Sequence, residues 1–225
     1  MSIKALLLGS IGAVAESSDI QRRAYNQALA EAGSSWGWDP ATYRALLTEP
    51  GGMARLARLS DADGGSLTPA QIRSIHARKT EIACTEVAAG IALRPGIAPL
   101  IQEALHAGIA LGFVTSTYRA NIDAIATGAG EALPLEQFAI VVTTDDVANG
   151  KPAPDVYEFA LQQLDCAAVD AVAIEDSASS VAAAKAAGIY TVCTPGEFTA
   201  EQDASAADRI LDSLEGFTLA DLRPG

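Results

Sequence analysis

The chain has 225 residues, 49% of them hydrophobic and 19% charged, which excludes intrinsic disorder and leaves room for one good-sized core with a smaller appended domain. Fifteen basic residues stand against 28 acidic ones, and the formal charge of −13 repels phosphodiester backbones and anionic lipid heads, so nucleic acid and membrane surfaces are excluded as partners. A local cluster of cations can still hold a small phosphorylated ligand against that field.

Ile3 to Leu8 is a short apolar run ended by Gly9, the pattern of a buried parallel strand. Its core, Ala5 to Leu8, is too short for a signal or membrane-spanning helix, which predicts a cytoplasmic protein. From about Ala15 to Leu93 the pattern turns helical (Ile20 to Ala32, Ala41 to Leu47, Ala54 to Leu59, Pro69 to Ala88) without a convincing strand. Trp36 and Trp38 flank Gly37 at a helix exit and are expected to pack rather than to hold a ligand. Asp61 to Gly65 resembles a calcium loop but lacks the later ligands and reads as a surface turn.

Beyond this stretch strand and helix alternate. Apolar runs lie at Ile109 to Val114, Ala139 to Val142, Ala171 to Ile174 and Ile189 to Cys193, with helical stretches at Pro95 to His106, Arg119 to Ala126, Pro154 to Leu164 and Ser177 to Ala187. Gly108 and Gly188 stand where helices end on glycine. The alternation predicts an α/β fold with a parallel, Rossmann-like sheet formed by 1–14 and 94–225, and an all-helical cap inserted at 15–93. Cys84, Cys166 and Cys193 lie too far apart for a metal motif and are expected to be buried, reduced thiols.

Ligands of such sheets bind beyond the carboxyl ends of the strands. There the chain carries Thr115-Ser116-Thr117, then Lys151 ahead of Pro154, then Glu175-Asp176-Ser177. Hydroxyls and an ammonium converging on a carboxylate pair are what a phosphoryl site needs, as donors for phosphate oxygens and hard oxygen ligands for Mg²⁺. Each element alone also has a plain reading, as a solvated lysine loop or an acidic helix cap. Their order and common placement at strand ends are harder to reach by chance.

With these residues in place the chain resembles the haloacid dehalogenase superfamily, in the branch of β-phosphoglucomutase and the CbbY-type sugar-bisphosphate phosphatases. Thr115 matches the second superfamily motif, Lys151 in Lys-Pro-Ala-Pro-Asp the third, and Glu175-Asp176 the fourth. In the insertion, Gln21 to Asn26, Gly51-Gly52 and Ile75 to Thr80 are similar to the CbbY cap. The resemblance implies Thr115, Ser116 and Lys151 as phosphate-binding residues, Arg55 and Lys79 as cap contacts to a second phosphate, and Glu175 with Asp176 as Mg²⁺ ligands. From the residues alone, Lys79 reads first as part of an exposed helix face, Arg55 reads equally well either way, and Glu16 and Asn121 near the cleft read as hinge and helix-start residues.

The first motif is degenerate. The family reads Asp-x-Asp-Gly-Thr-Leu after the first strand, where this chain has Gly9-Ser10-Ile11-Gly12-Ala13-Val14. The family's first aspartate attacks phosphorus and ligates Mg²⁺, and the second is the general acid/base; Gly9 and Ile11 can do neither. Other departures are Gln21 in place of a hinge histidine and Met53-Ala54 in place of lysine and glutamate. The expectation is a catalytically impaired pseudoenzyme with a weak Mg²⁺ site that binds a phosphorylated metabolite or a protein partner. One alternative is an active phosphomonoester hydrolase using Ser10, although strand alternation points Ser10 away from the catalytic face. Another is a structural role, for example beside an active homologue in a dimer.

Overall fold

The computed structural model describes residues 3–49, 51–62 and 65–222. Asp63 and Gly64 of the expected surface turn lie outside them. Six strands form one parallel sheet in the order β3-β2-β1-β4-β5-β6, from β1 (Ala5–Leu8), β2 (Ala110–Val114), β3 (Ile140–Val142), β4 (Ala171–Glu175), β5 (Tyr190–Cys193) and β6 (Arg209–Ile210). β6 was not expected: two residues flanked by polar sequence carry no apolar run.

Alternation along the central strands builds two cores. Leu6 and Leu8 of β1, Phe113 of β2 and Ile174 of β4 turn to one face, while Leu7, Val114 and Ala173 turn to the other. Helix α5 (Ile97–His106) covers the first face with Ile97, Leu100 and Ile101; α7 (Asp155–Gln163) and α8 (Ala178–Ala186) cover the second with Val156, Tyr157 and Ala183. Each fully buried leucine contributes about 2 kcal/mol of transfer free energy. The sheet centre therefore gives the strand ends a rigid base. Gly108 and Gly188 close α5 and α8 with φ of 68° and 77°, as expected.

Four helices stand between β1 and α5: α1 (Ser18–Glu31), α2 (Pro40–Leu46), α3 (Gly52–Ala62) and α4 (Pro69–Ala88). Asp39 caps α2 and Thr68 caps α4, each followed by proline at the first helical position. Thr68 and Gln71 form a reciprocal capping box, which suits the start of a 20-residue helix. The helices bury their own aromatic core of Tyr25, Trp38 and Tyr43, with Trp38 edge-on to Tyr25 at 5.0 Å, so Trp38 packs as expected. Of the three free thiols only Cys193 is buried; Cys84 on α4 and Cys166 in the loop after α7 are half-buried, contrary to expectation. The remaining helix, α6 (Arg119–Ala129), starts just after Thr115-Ser116-Thr117 and packs against α4.

Candidate functional site

Parallel strands β3, β2, β1 and β4 stand side by side, so their carboxyl ends deliver Lys151, Thr115, Ser10 and Glu175-Asp176 to one place. They form the floor of a cleft of about 220 Å³, whose roof is made by Gln21, Tyr25, Tyr43, Arg55 and Lys79 from the inserted helices. All seven residues expected at the site line it.

The floor is dominated by a closed network. Lys151 Nζ is paired with Glu175 Oε1 and donates to Val114 O at 2.9 Å and to the Tyr157 hydroxyl at 3.3 Å. The Tyr157 hydroxyl in turn donates to Glu175 Oε1. An ammonium has three protons, and all three are spent. Lys151 reaches the cleft with its ammonium engaged by groups of the protein. Burial and the neighbouring Glu175 carboxylate push the Tyr157 phenol well above its ordinary pKa, so it stays a donor.

Glu175 takes the place left by Gly9. A Cβ on Gly9 would lie 2.9 Å from Glu175 Cδ, so the carboxylate fills the space of a Gly9 side chain. Gly12 is required by the turn: its φ is 84°, and a Cβ there would overlap the Asp176 carboxylate.

Ser10 is a correction. Its buried Oγ lies 2.8 Å from Thr115 Oγ1 and faces the cleft. Strand alternation fails as a guide because β1 ends at Leu8, and the chain then turns so that Val14 N–H donates to Ser10 O at 2.9 Å. Among the described residues, no histidine or carboxylate is hydrogen-bonded to Ser10 Oγ. Ser116 Oγ accepts from Lys151 N–H at 3.0 Å and fixes the lysine loop.

Asp176 accepts at 3.2 Å from Thr199 Oγ1, and burial, with Glu175 and then Glu16 nearby, pushes its carboxyl up to about 8. As an Mg²⁺ site the floor fits poorly. Glu175 is held by Lys151 and Tyr157, Asp176 favours its neutral form, and Gly9 offers no ligand. Among the described residues no three His, Cys, Asp or Glu side chains are grouped to hold a metal ion.

The roof carries the opposite charge. Lys79 is 6% exposed and Arg55 5%, which corrects the exposed-face reading of Lys79. Helix α4 turns Lys79 inward, with Nζ 4.6 Å above the Tyr25 ring. Arg55 lies over Tyr43 and donates to Leu46 O and Glu49 O, both at 3.3 Å. Among the described residues neither cation has a carboxylate partner. Burial, with the like charge of Arg55, lowers the Lys79 ammonium to about 8, and burial beside Lys79 and Arg55 lowers His76 to about 4.

Sequence reasoning did not single out Tyr157 or Thr199. Tyr157 sits two positions into α7 on its buried face, a signal readable only once Lys151 is placed beneath it. Thr199 comes from the segment after β5, which has no strand-end signature. Glu16 accepts from Glu197 N–H at 2.8 Å and acts as the expected hinge tie, and Asn121 donates to Thr117 at 2.8 Å at the start of α6.

Residues 4–188 match the family model of the haloacid dehalogenase-like hydrolases. The protein CbbY of Cereibacter sphaeroides is 42% identical over 213 residues, covering 94% of this chain and 93% of that one. The CbbY of Rhodobacter capsulatus is 38% identical over 222 residues, 98% of both. Among solved structures, an aspartate-to-asparagine mutant of CbbY from Rhodobacter sphaeroides in complex with xylulose-(1,5)bisphosphate is similar with a TM-score of 0.92 at 42% identity, covering 99% of this chain and 100% of that one. CbbY from the same organism in complex with phosphate gives 0.91 at 42% identity, covering 98% and 99%.

Proposed function

The chain belongs to the haloacid dehalogenase-like hydrolase family, and from that premise we propose that it binds a phosphorylated small molecule on a CbbY-like scaffold without hydrolysing it. The observation that carries the reading is the Glu175 carboxylate standing in the space of a Gly9 side chain, pinned there by Lys151 and Tyr157. Gly9 at the nucleophile position cannot attack phosphorus, and Ile11 at the acid/base position cannot protonate a leaving group. Loss of a catalytic unit of this kind costs about a millionfold in turnover. Mg²⁺ binding is correspondingly weak.

Binding keeps its driving force. A buried ammonium without a carboxylate partner is costly until an anion arrives, and Lys79 and Arg55 offer a phosphate two such cations in the roof. The CbbY structures bound to a sugar bisphosphate and to phosphate support a phosphorylated ligand class. Calorimetric titration with inorganic phosphate tests this: the wild type binds it, and Lys79→Met binds at least tenfold more weakly. Equal affinity of the two proteins removes the reading. Because Lys79 loses its proton around pH 8, affinity falls as pH rises through that value.

A second reading, hydrolysis through Ser10, is favoured by one observation, the position of Ser10 in the cleft lining beside Thr115. It requires a base in contact with that hydroxyl, and Mg²⁺-dependent turnover abolished by Ser10→Ala is its signature.

A further inference from the structure

The chain has four lysines, and three of them are paired: Lys4 with Asp170, Lys151 with Glu175 and Lys185 with Asp208. Lys79 is the fourth. Among the described residues its Nζ has neither a carboxylate partner nor a hydrogen bond, although the residue is buried and lines the cleft.

The groups around this amine come from three helices. Nζ lies 4.6 Å above the ring of Tyr25 on α1, Arg55 on α3 brings a like charge, and His76 and Cys84 stand near it on α4 itself. Helical spacing puts His76 three positions before Lys79 on the same face. Gly52 keeps this corner open: a Cβ there would collide with the Tyr25 hydroxyl and with His76 Nε2, so those two groups converge on one spot. Burial, and then Arg55, lowers the Lys79 ammonium to about 8, while His76 at about 4 is an uncharged imidazole. At pH 7 about a tenth of the Lys79 population is therefore free amine. A desolvated lysine beside a second cation is the setting in which an amine becomes a nucleophile toward carbonyl carbon.

We propose that Lys79 is a carbonyl-capturing amine, a site where a small anionic aldehyde condenses to an imine at Nζ with its anionic group drawn to Arg55. The Nζ lone pair bonds to the aldehyde carbon, the carbonyl oxygen leaves as water with the two amine protons, and a C=N bond remains. Nothing is oxidised or reduced. An anionic aldehyde is favoured because Arg55, among the described residues, also lacks a carboxylate partner. Its guanidinium keeps donors beyond the two given to Leu46 O and Glu49 O. This chemistry goes beyond phosphate binding and does not require it.

Glyoxylate with sodium cyanoborohydride, which reduces an imine to a stable carboxymethyl-amine, tests this on the full chain, with peptide mass mapping as the readout. At pH 7 Lys79 should be labelled at least about tenfold faster than Lys4, whose side chain is 63% exposed and whose ammonium is held by Asp170. The Lys79 rate should level off above about pH 8, where the amine is already free, while Lys4 labelling keeps rising. In urea the lead of Lys79 should vanish, because the fold creates it. Oxalate, an anion with no aldehyde, should slow labelling of Lys79 and leave that of Lys4 unchanged. Lys79 labelled no faster than Lys4 overturns the proposal, as does a lead that survives unfolding or a Lys79 rate that climbs with pH in step with Lys4. Oxalate without effect on Lys79 overturns the anionic ligand class.

Discussion

Gly9 governs what the cleft can do because its missing side chain is what lets Glu175 settle against Lys151. The φ of Gly9 is not in the left-handed region, so an aspartate there carries no backbone penalty. Its cost is steric: Glu175 has to swing away from a position 2.9 Å from the new Cβ. Gly9→Asp together with Ile11→Asp should therefore lower stability by about 1–3 kcal/mol, as overpacking does. The double variant should also gain Mg²⁺-dependent hydrolysis of p-nitrophenyl phosphate, with each single variant near background because nucleophile and acid act as a unit. A folded double variant with no turnover would place further decay at Gln21, Met53 and Ala54. These residue identities are plain in the sequence; the partner that fills the gap is not, since nothing in the motif order says that Glu175 turns to Gly9 rather than to solvent.

Among the elements, α7 and α4 carry the most consequence. Tyr157 of α7 closes the Lys151–Glu175 network, and Tyr157→Phe leaves both charged partners short of one hydrogen bond in a fully buried setting. A loss of about 1–3 kcal/mol in denaturant unfolding is expected; an unchanged midpoint would show the network to be dispensable. On α4, His76 has its pKa lowered from 6.5 to about 4, first by burial and then by Lys79 and Arg55. Between those values the unfolded chain binds a proton that the folded chain refuses, so His76 contributes a loss of stability as pH falls from 6.5 toward 4. Asp176, raised to about 8, contributes the opposite slope in the same range. The comparison that isolates His76 is the difference in melting temperature between wild type and His76→Gln, which should shift in favour of the variant as pH drops. Parallel pH curves for the two proteins contradict it. The long helices and central strands were legible because their periodicity runs over many residues. β6 was not, being two residues at a sheet edge, and Ser10 was misread because alternation holds only while the strand lasts.

At the scale of the molecule, cleft and fold are joined by contacts no local pattern announces. The segment after β5 places Phe198 against Tyr43 at 5.9 Å, and Gln202 donates to Leu47 O at 3.2 Å, so the roof helices are tied to the sheet near the floor. Arg94 bonds to carbonyls of Gly12, Thr194 and Pro195, and thereby holds the loop after β1 to the same segment. This cross-bracing keeps two buried cations facing a neutralised floor inside a chain of net charge −13. Under the proposed function a globally acidic protein presents a local anion site without a functioning nucleophile. The most direct test of that claim is the steady-state hydrolysis of p-nitrophenyl phosphate by the wild-type chain, with and without Mg²⁺. The rate should stay at the uncatalysed background in both conditions, and Mg²⁺-dependent turnover that disappears in Ser10→Ala would contradict the account.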